Sequence, residues 1–168
     1  MLRLQPLHLN NGRNSYRQAP RDRNQTSKLH STSVDAYINQ GLTYYRKGNY
    51  QQAISSYSKV IALNPNSVIA YSNRSSAYIG QKDYQKAIAD SNKAISLNPT
   101  YANAYINRGL AYYYQGKSQQ AIANYNKAIS LNPIYANAYI NRGLAYYYQG
   151  NSQQAIANYN KAISLNGT

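Results

Sequence analysis

The sequence predicts an all-α fold, a solenoid of stacked helix pairs, on three observations. Asn-Pro pairs stand at Asn64-Pro65, Asn98-Pro99 and Asn132-Pro133, each 34 residues from the last, and the next step falls on Asn166-Gly167. The stretches Thr100–Pro133 and Ile134–Gly167 differ at only three positions, Thr100/Ile134, Lys117/Asn151 and Pro133/Gly167, the mark of a recent duplication. Each period also holds two helix-forming stretches with a break between them. Gly48, Gly116 and Gly150 fill the break in three units and Lys82 in the other.

The elements follow in chain order. Residues 1–33 carry Arg3, Arg13, Arg17, Arg21, Arg23 and Lys28 against Asp22 alone. Pro6, Gly12 and Pro20 interrupt any amphipathic helix there, so a disordered basic tail is expected, with organelle targeting as the alternative. Four units then span 34–67, 68–101, 102–135 and 136–168. In the third, residues 102–114 form the first helix and Gly116 suits its left-handed end. Ser118 or its neighbours cap the second helix, 118–131, whose Ala121, Ile122, Tyr125, Ala128, Ile129 and Leu131 share one face. Asn-Pro stops it, because the residue before proline is pushed out of the helical region. The fourth unit closes without a further capping helix, so Ile156, Tyr159 and Ile163 are expected to leave apolar surface uncovered, which implies either self-association through this end or a sequence truncated relative to its natural protein.

Packing is written in columns. Ala53/Ala87/Ala121/Ala155 and Val60/Ala94/Ala128/Ala162 keep the second helices thin, and Gly41/Ser75/Gly109/Gly143 do the same for the first. Tyr37/Tyr71/Tyr105/Tyr139 and Tyr44/Tyr78/Tyr112/Tyr146 supply the bulk that fills the gaps, so both are expected in the core. Tyr105, Gly109, Tyr112, Gly116, Ala121, Tyr125, Ala128 and Pro133 at these offsets closely resemble the tetratricopeptide repeat, over residues 34–168. Tyr replaces the family's usual Trp, and Ser91 breaks the Tyr57/Tyr125/Tyr159 column. The resemblance implies a right-handed superhelix of antiparallel helix pairs, with the first helices lining a concave groove.

Composition narrows the function. With 21 Tyr, no Phe, no Trp and no Cys among 168 residues, disulfides, thiolate metal sites and cysteine nucleophiles are excluded. Eighteen Lys and Arg against four acidic residues give a formal charge of +14, a field that favours acidic peptides, nucleic acid or anionic lipid. No stretch approaches the ~20 apolar residues of a membrane span, and cytoplasm is the default compartment. Both histidines, His8 and His30, fall in the tail; Asp83 reads as a helix cap and Asp90 as a solvated residue. No nucleophile, metal-ligand or phosphate-loop motif is present, so neither catalysis nor a cofactor is expected.

What remains is the groove. Asn39, Asn73, Asn107 and Asn141 recur every 34 residues, at a position that the resemblance places on the concave wall. A primary amide offers one acceptor and two donors, enough to clamp a peptide backbone whatever its side chains. The pattern resembles the asparagine ladder of O-linked N-acetylglucosamine transferase; local bonding of the same amides is the competing reading. Tyr45, Tyr113, Tyr114, Tyr147 and Tyr148, near the ends of first helices, either line the groove's exposed wall or are ordinary surface tyrosines. Arg74, Arg108 and Arg142 are expected to pack between aromatic rings of adjacent units. The motif around Asn73 is similar to one repeat of co-chaperones that grip acidic chaperone tails. Ile38, Leu42, Asn103 and Asn107 stand at the other four clamp positions, however, so the cationic anchors are missing. The expectation is a non-catalytic scaffold that binds a protein or peptide, with RNA binding, or service as a module of a larger protein, as alternatives.

Overall fold

The computed structural model describes the backbone of residues 19–166 and the side chains of residues 33–165. Among the described residues eight helices follow one another: α1 Ala19–Arg46, α2 Tyr50–Leu63, α3 Val68–Gly80, α4 Tyr84–Leu97, α5 Ala102–Tyr114, α6 Ser118–Leu131, α7 Ala136–Tyr148 and α8 Ser152–Asn166. The chain divides into two compact units, with the boundary between Ser33 and Val34. Residues 19–33 of the expected disordered tail nevertheless belong to helix α1, since the helix-breaking Pro20 sits in its first turn, where proline is tolerated. Residues 1–18 lie outside the described residues.

Each break is built as expected. Gly48, Gly116 and Gly150 have φ of 75°, 74° and 79°, and Lys82 takes the same left-handed conformation at 63°. The amide three residues past each first helix then closes a wide backbone bond: Asn49 N–H donates to Tyr44 O and Lys117 N–H to Tyr112 O, both at 2.9 Å. Capping differs between units. Asp83 caps α4 by accepting from Lys86 N, and Asn151 caps α8 by accepting from Gln154 N. Lys117 occupies the same place before α6 and makes no side-chain cap, and Ser118 is already the first helical residue. The asparagines before proline are extended, and their side chains accept the amide two residues on, as Asn98 Oδ1 does from Thr100 N at 3.0 Å.

The first helices contact one another across units (α3 with α5, α5 with α7), and each second helix contacts the first helix of the next unit. Among the described residues no second helix touches another, so the first helices form the inner wall of a curved stack.

The small columns are buried throughout; Ala53, Ala87, Ala121, Val60, Ala94 and Ala128 expose nothing. Glycine is required on the first helix because a Cβ at Gly109 would lie 2.6 Å from the Tyr125 ring, and one at Gly143 would lie 2.7 Å from Tyr159. The second unit changes both partners together: Ser75 and Ser91 are buried, their hydroxyls 2.8 Å apart, where the other units pair glycine with tyrosine. Tyr57 and Tyr125, at 1% and 0% exposure, are therefore the deepest rings. Tyr105 and Tyr139 are buried as expected, whereas Tyr37 and Tyr71 of the same column, and the column of Tyr44, Tyr78, Tyr112 and Tyr146, are only half-buried. The latter four side chains sit at the last turn of the first helix, where less of the neighbouring unit reaches them.

Two stability predictions follow from the capping and the core. The Tyr125 hydroxyl is buried without a hydrogen-bond partner; Tyr125→Phe is expected to stabilise the fold by about 1–3 kcal/mol, read by chemical denaturation. Lys117→Asn, which gives α6 the cap that Asn151 gives α8, is expected to add roughly 1 kcal/mol in the same assay.

Candidate peptide-binding groove

The inner wall carries a cleft of about 240 Å³ between α3, α5 and the start of α7, lined by Ser72, Asn73, Ser76, Asn103, Ile106, Asn107, Tyr135 and Asn137. No charged side chain lines it. Two of the four ladder asparagines, Asn73 and Asn107, are brought together here, and they differ. The Asn107 amide donates to Ser72 O at 2.9 Å and Ser72 Oγ at 3.2 Å, so its donors already join α5 to α3. Asn73 makes no side-chain hydrogen bond among the described residues and is half-buried with its amide open to the cleft. Asn141 is half-buried on α7 outside this cleft, and Asn39 is exposed on α1, where its backbone carbonyl accepts from Thr43 Oγ1 at 2.8 Å.

Three cleft residues escape a search for regular columns. Asn103 and Asn137 are 34 residues apart, but the matching positions hold Asp35 and Ile69 in the first two units, so the column is broken. Tyr135 follows a proline turn, and its hydroxyl donates to Asn103 Oδ1, holding that amide against the wall.

The tyrosines form a second feature. Tyr113 meets Tyr148 edge to face at 5.5 Å and 75°, Tyr147 meets Tyr148 at 5.8 Å and 88°, and Tyr114 stacks on Tyr84 at 5.6 Å and 14°. Tyr113, Tyr114 and Tyr148 enclose a hollow of about 330 Å³ above Gly116 and Ser118. Tyr45 packs on Tyr50, 5.6 Å away. Burial, reinforced by Tyr50 and Tyr114, raises the pKa of the Tyr45 hydroxyl above its ordinary range. Tyr114, Tyr147 and Tyr148 remain 54%, 61% and 69% exposed. All five expected tyrosines thus belong to ring pairs, Tyr45 with Tyr50 and the other four in one cluster.

Arg74, Arg108 and Arg142 pack on tyrosine rings of their own units, and the link between units is made instead by hydrogen bonds. Arg108 Nε donates to Asn124 in its own unit at 2.7 Å, and Nη1 donates to Asn92 in the preceding unit at 2.8 Å. Arg142 repeats this with Asn158 and Asn126 at 2.7 and 2.6 Å. Arg74 reaches Ser58 and forms a two-pronged ion pair with Asp90 at 2.7 and 2.8 Å. Asp90 is therefore not solvated: it is 6% exposed, and the guanidinium compensates its burial. Among the described residues no group of acidic or histidine side chains could hold a metal.

The arrangement is that of a helix-pair repeat protein with an uncharged cleft between first helices and a separate cluster of exposed tyrosines. Models of the tetratricopeptide repeat match residues 34–67 and 136–168, and those of the TPR repeat match 76–116 and 109–150. The chain belongs to the tetratricopeptide repeat family. Among solved structures, MamA is 34% identical with a TM-score of 0.69, the match covering 89% of this chain and 87% of that one. The first TPR domain of Spaghetti (RPAP3), solved bound to the HSP90 peptide SRMEEVD, is 28% identical with a TM-score of 0.66, over 71% and 95%. The thermophilic TPR protein TTC0263 of Thermus thermophilus shares the fold at a TM-score of 0.76 and 22% identity, over 80% of this chain and 75% of that one. A search of the curated proteins found no significant match. No described helix is long and apolar enough to cross a membrane.

Burial fixes how the fold responds to alkali. It pushes the Tyr57 hydroxyl from its ordinary 10 up to about 12, with smaller opposed effects from Tyr45 and Arg46. The folded state resists ionisation that the unfolded chain accepts, so this contribution is complete below pH 10 and is lost as the pH climbs towards 12. Thermal melting temperatures are expected to fall across that interval, with phenolate absorbance reporting a late-titrating class of tyrosine.

Proposed function

We propose that this chain is a non-catalytic scaffold that holds an extended segment of a partner protein along its inner groove. One observation carries the reading: the cleft between α3, α5 and α7 is lined by four asparagines and two serines with no charged side chain. Such a surface meets backbone N–H and C=O groups in either sense and discriminates little by side chain. Asn73 and Asn137 supply open amides, Asn107 and Asn103 are held by Ser72 and Tyr135, and Asn141 and Asn39 extend the same row along the array. The rim of Tyr113, Tyr114, Tyr147 and Tyr148, with Tyr45 farther along, offers contact area at small cost in side-chain entropy.

The net charge of +14 favours acidic partners through long-range attraction. The peptide in the RPAP3 domain is acidic, but this cleft has neutral residues where a terminal carboxylate would need cations, so an internal segment suits it better. Nucleic acid is the weaker fit, because Arg74, Arg108 and Arg142 are engaged between repeats. A second reading, self-association through α8, is favoured by Ile156 and Ile163, which are 59% and 68% exposed.

A peptide array followed by fluorescence anisotropy on the best binders tests the groove. Asn73→Ala with Asn137→Ala is expected to weaken binding by roughly tenfold or more while leaving the melting temperature within a few degrees, since neither amide is committed to the fold. Binding untouched by the double substitution would remove the groove from the account. Single-stranded RNA bound at low salt, with a steep salt dependence and no effect of the asparagines, would replace the peptide reading.

A further inference from the structure

Repeat symmetry states what the outer face of a second helix is made to receive. Ile54 and Ile122 are 7% and 8% exposed, clustered with Ala77 and Ala145 of the following first helices. Ile129 packs in a cluster with Ala138. The equivalent residues on α8 are Ile156 and Ile163, at 59% and 68% exposure. A polar group is left over in the same register. Asn92 and Asn126 each accept from the arginine of the next first helix, whereas the matching Asn160 is exposed and has no hydrogen bond among the described residues.

The complementary face stands at the other end of the array. Every alanine that receives a preceding second helix is fully covered: Ala70, Ala77, Ala104, Ala111, Ala138 and Ala145 expose nothing. In the first unit those positions are Ala36 and Thr43, both small and both exposed, with exposed Gln40 at the arginine position. Gln40 Oε1 accepts from Ser56 Oγ at 2.9 Å, which fixes the amide and leaves its NH₂ to donate outward.

We infer that copies of this chain associate head to tail, α8 of one copy receiving residues 34–46 of α1 from the next. The inference rests on the self-association reading above and specifies its geometry. By the register of the internal interfaces, Ile156 meets Thr43, Ile163 meets Ala36, and Gln40 Nε2 donates to Asn160 Oδ1. The interface joins two different surfaces, so one contact leaves both outer ends open and assembly proceeds as a growing row of copies. The charge of +14 on each copy opposes this, and salt that screens the repulsion favours it.

Sedimentation velocity of the full chain, at moderate salt and over a wide concentration range, tests the inference. Two blocked variants are needed: Ile156→Lys with Ile163→Lys on α8, and Ala36→Arg with Thr43→Arg on α1. All four positions are exposed, and circular dichroism melts check that each variant folds. The unaltered chain is expected to sediment faster as concentration rises, each variant alone to stay monomeric, and their equimolar mixture to stop at a dimer. A monomeric unaltered chain, or an α8-blocked variant that still associates, would overturn both this geometry and self-association through α8. An α1-blocked variant that still dimerises while the α8-blocked one does not would overturn the head-to-tail geometry alone. Gln40→Arg, which installs the residue of the internal interfaces, is expected to shift assembly to about tenfold lower concentration; a shift in the opposite direction would count against the register.

Discussion

The close approach of the two helices in each unit is the constraint on which the rest depends. In the third unit the Tyr125 ring occupies the space that a side chain at position 109 would need, and Gly109 supplies that space by having none. The fully buried alanines on the facing helices let the backbones come together on either side of the ring. Such an interface is thin, and a chain without Phe or Trp can fill it with one aromatic per unit. Thin interfaces repeated at a constant period yield a stack in place of a single large core. The second unit fills the same position by another route, with Ser75 and Ser91 sharing a hydrogen bond where the ring would be.

Between units the work passes to polar groups. Arg74, Arg108 and Arg142 each bond the second helix of their own unit and that of the unit before, and each lies near a tyrosine ring. Of the three, only Arg74 meets a carboxylate among the described residues; Arg108 and Arg142 donate to asparagine oxygens. This accounts for part of the basicity of the array without calling on a ligand. It also clears charge from the inner wall, because the guanidinium groups are drawn towards the second helices.

The same division gives the groove its character. With the arginines engaged elsewhere, amides, hydroxyls and one isoleucine line the cleft, a surface suited to backbone recognition. The exposed rings gather at the ends of the first helices, beside the turns that left-handed glycines make tight. The uncharged cleft and the tyrosine cluster are therefore both consequences of the packing scheme.

The sequence by itself determined the period, the breaks and the residues that had to be small. These depend on chain-local geometry: a glycine ends a helix, a proline stops one, and an alanine column marks a close contact wherever it recurs. The resemblance to the repeat family, and not the sequence alone, placed Asn73 and Asn107 on one wall. Only the tertiary structure decided which amides are open, because neighbouring first helices are staggered and their contacts do not join equal positions. Asn107 reaches Ser72, 35 residues away, and Tyr135 reaches Asn103, 32 residues away. A 34-residue column cannot register either contact. Asp90 is the same lesson in electrostatics: a lone carboxylate on a polar helix reads as solvated until the fold brings Arg74 against it, 16 residues back and on another helix. Side chains that obey the period were legible, and those that bridge across it were settled by the tilt between helices.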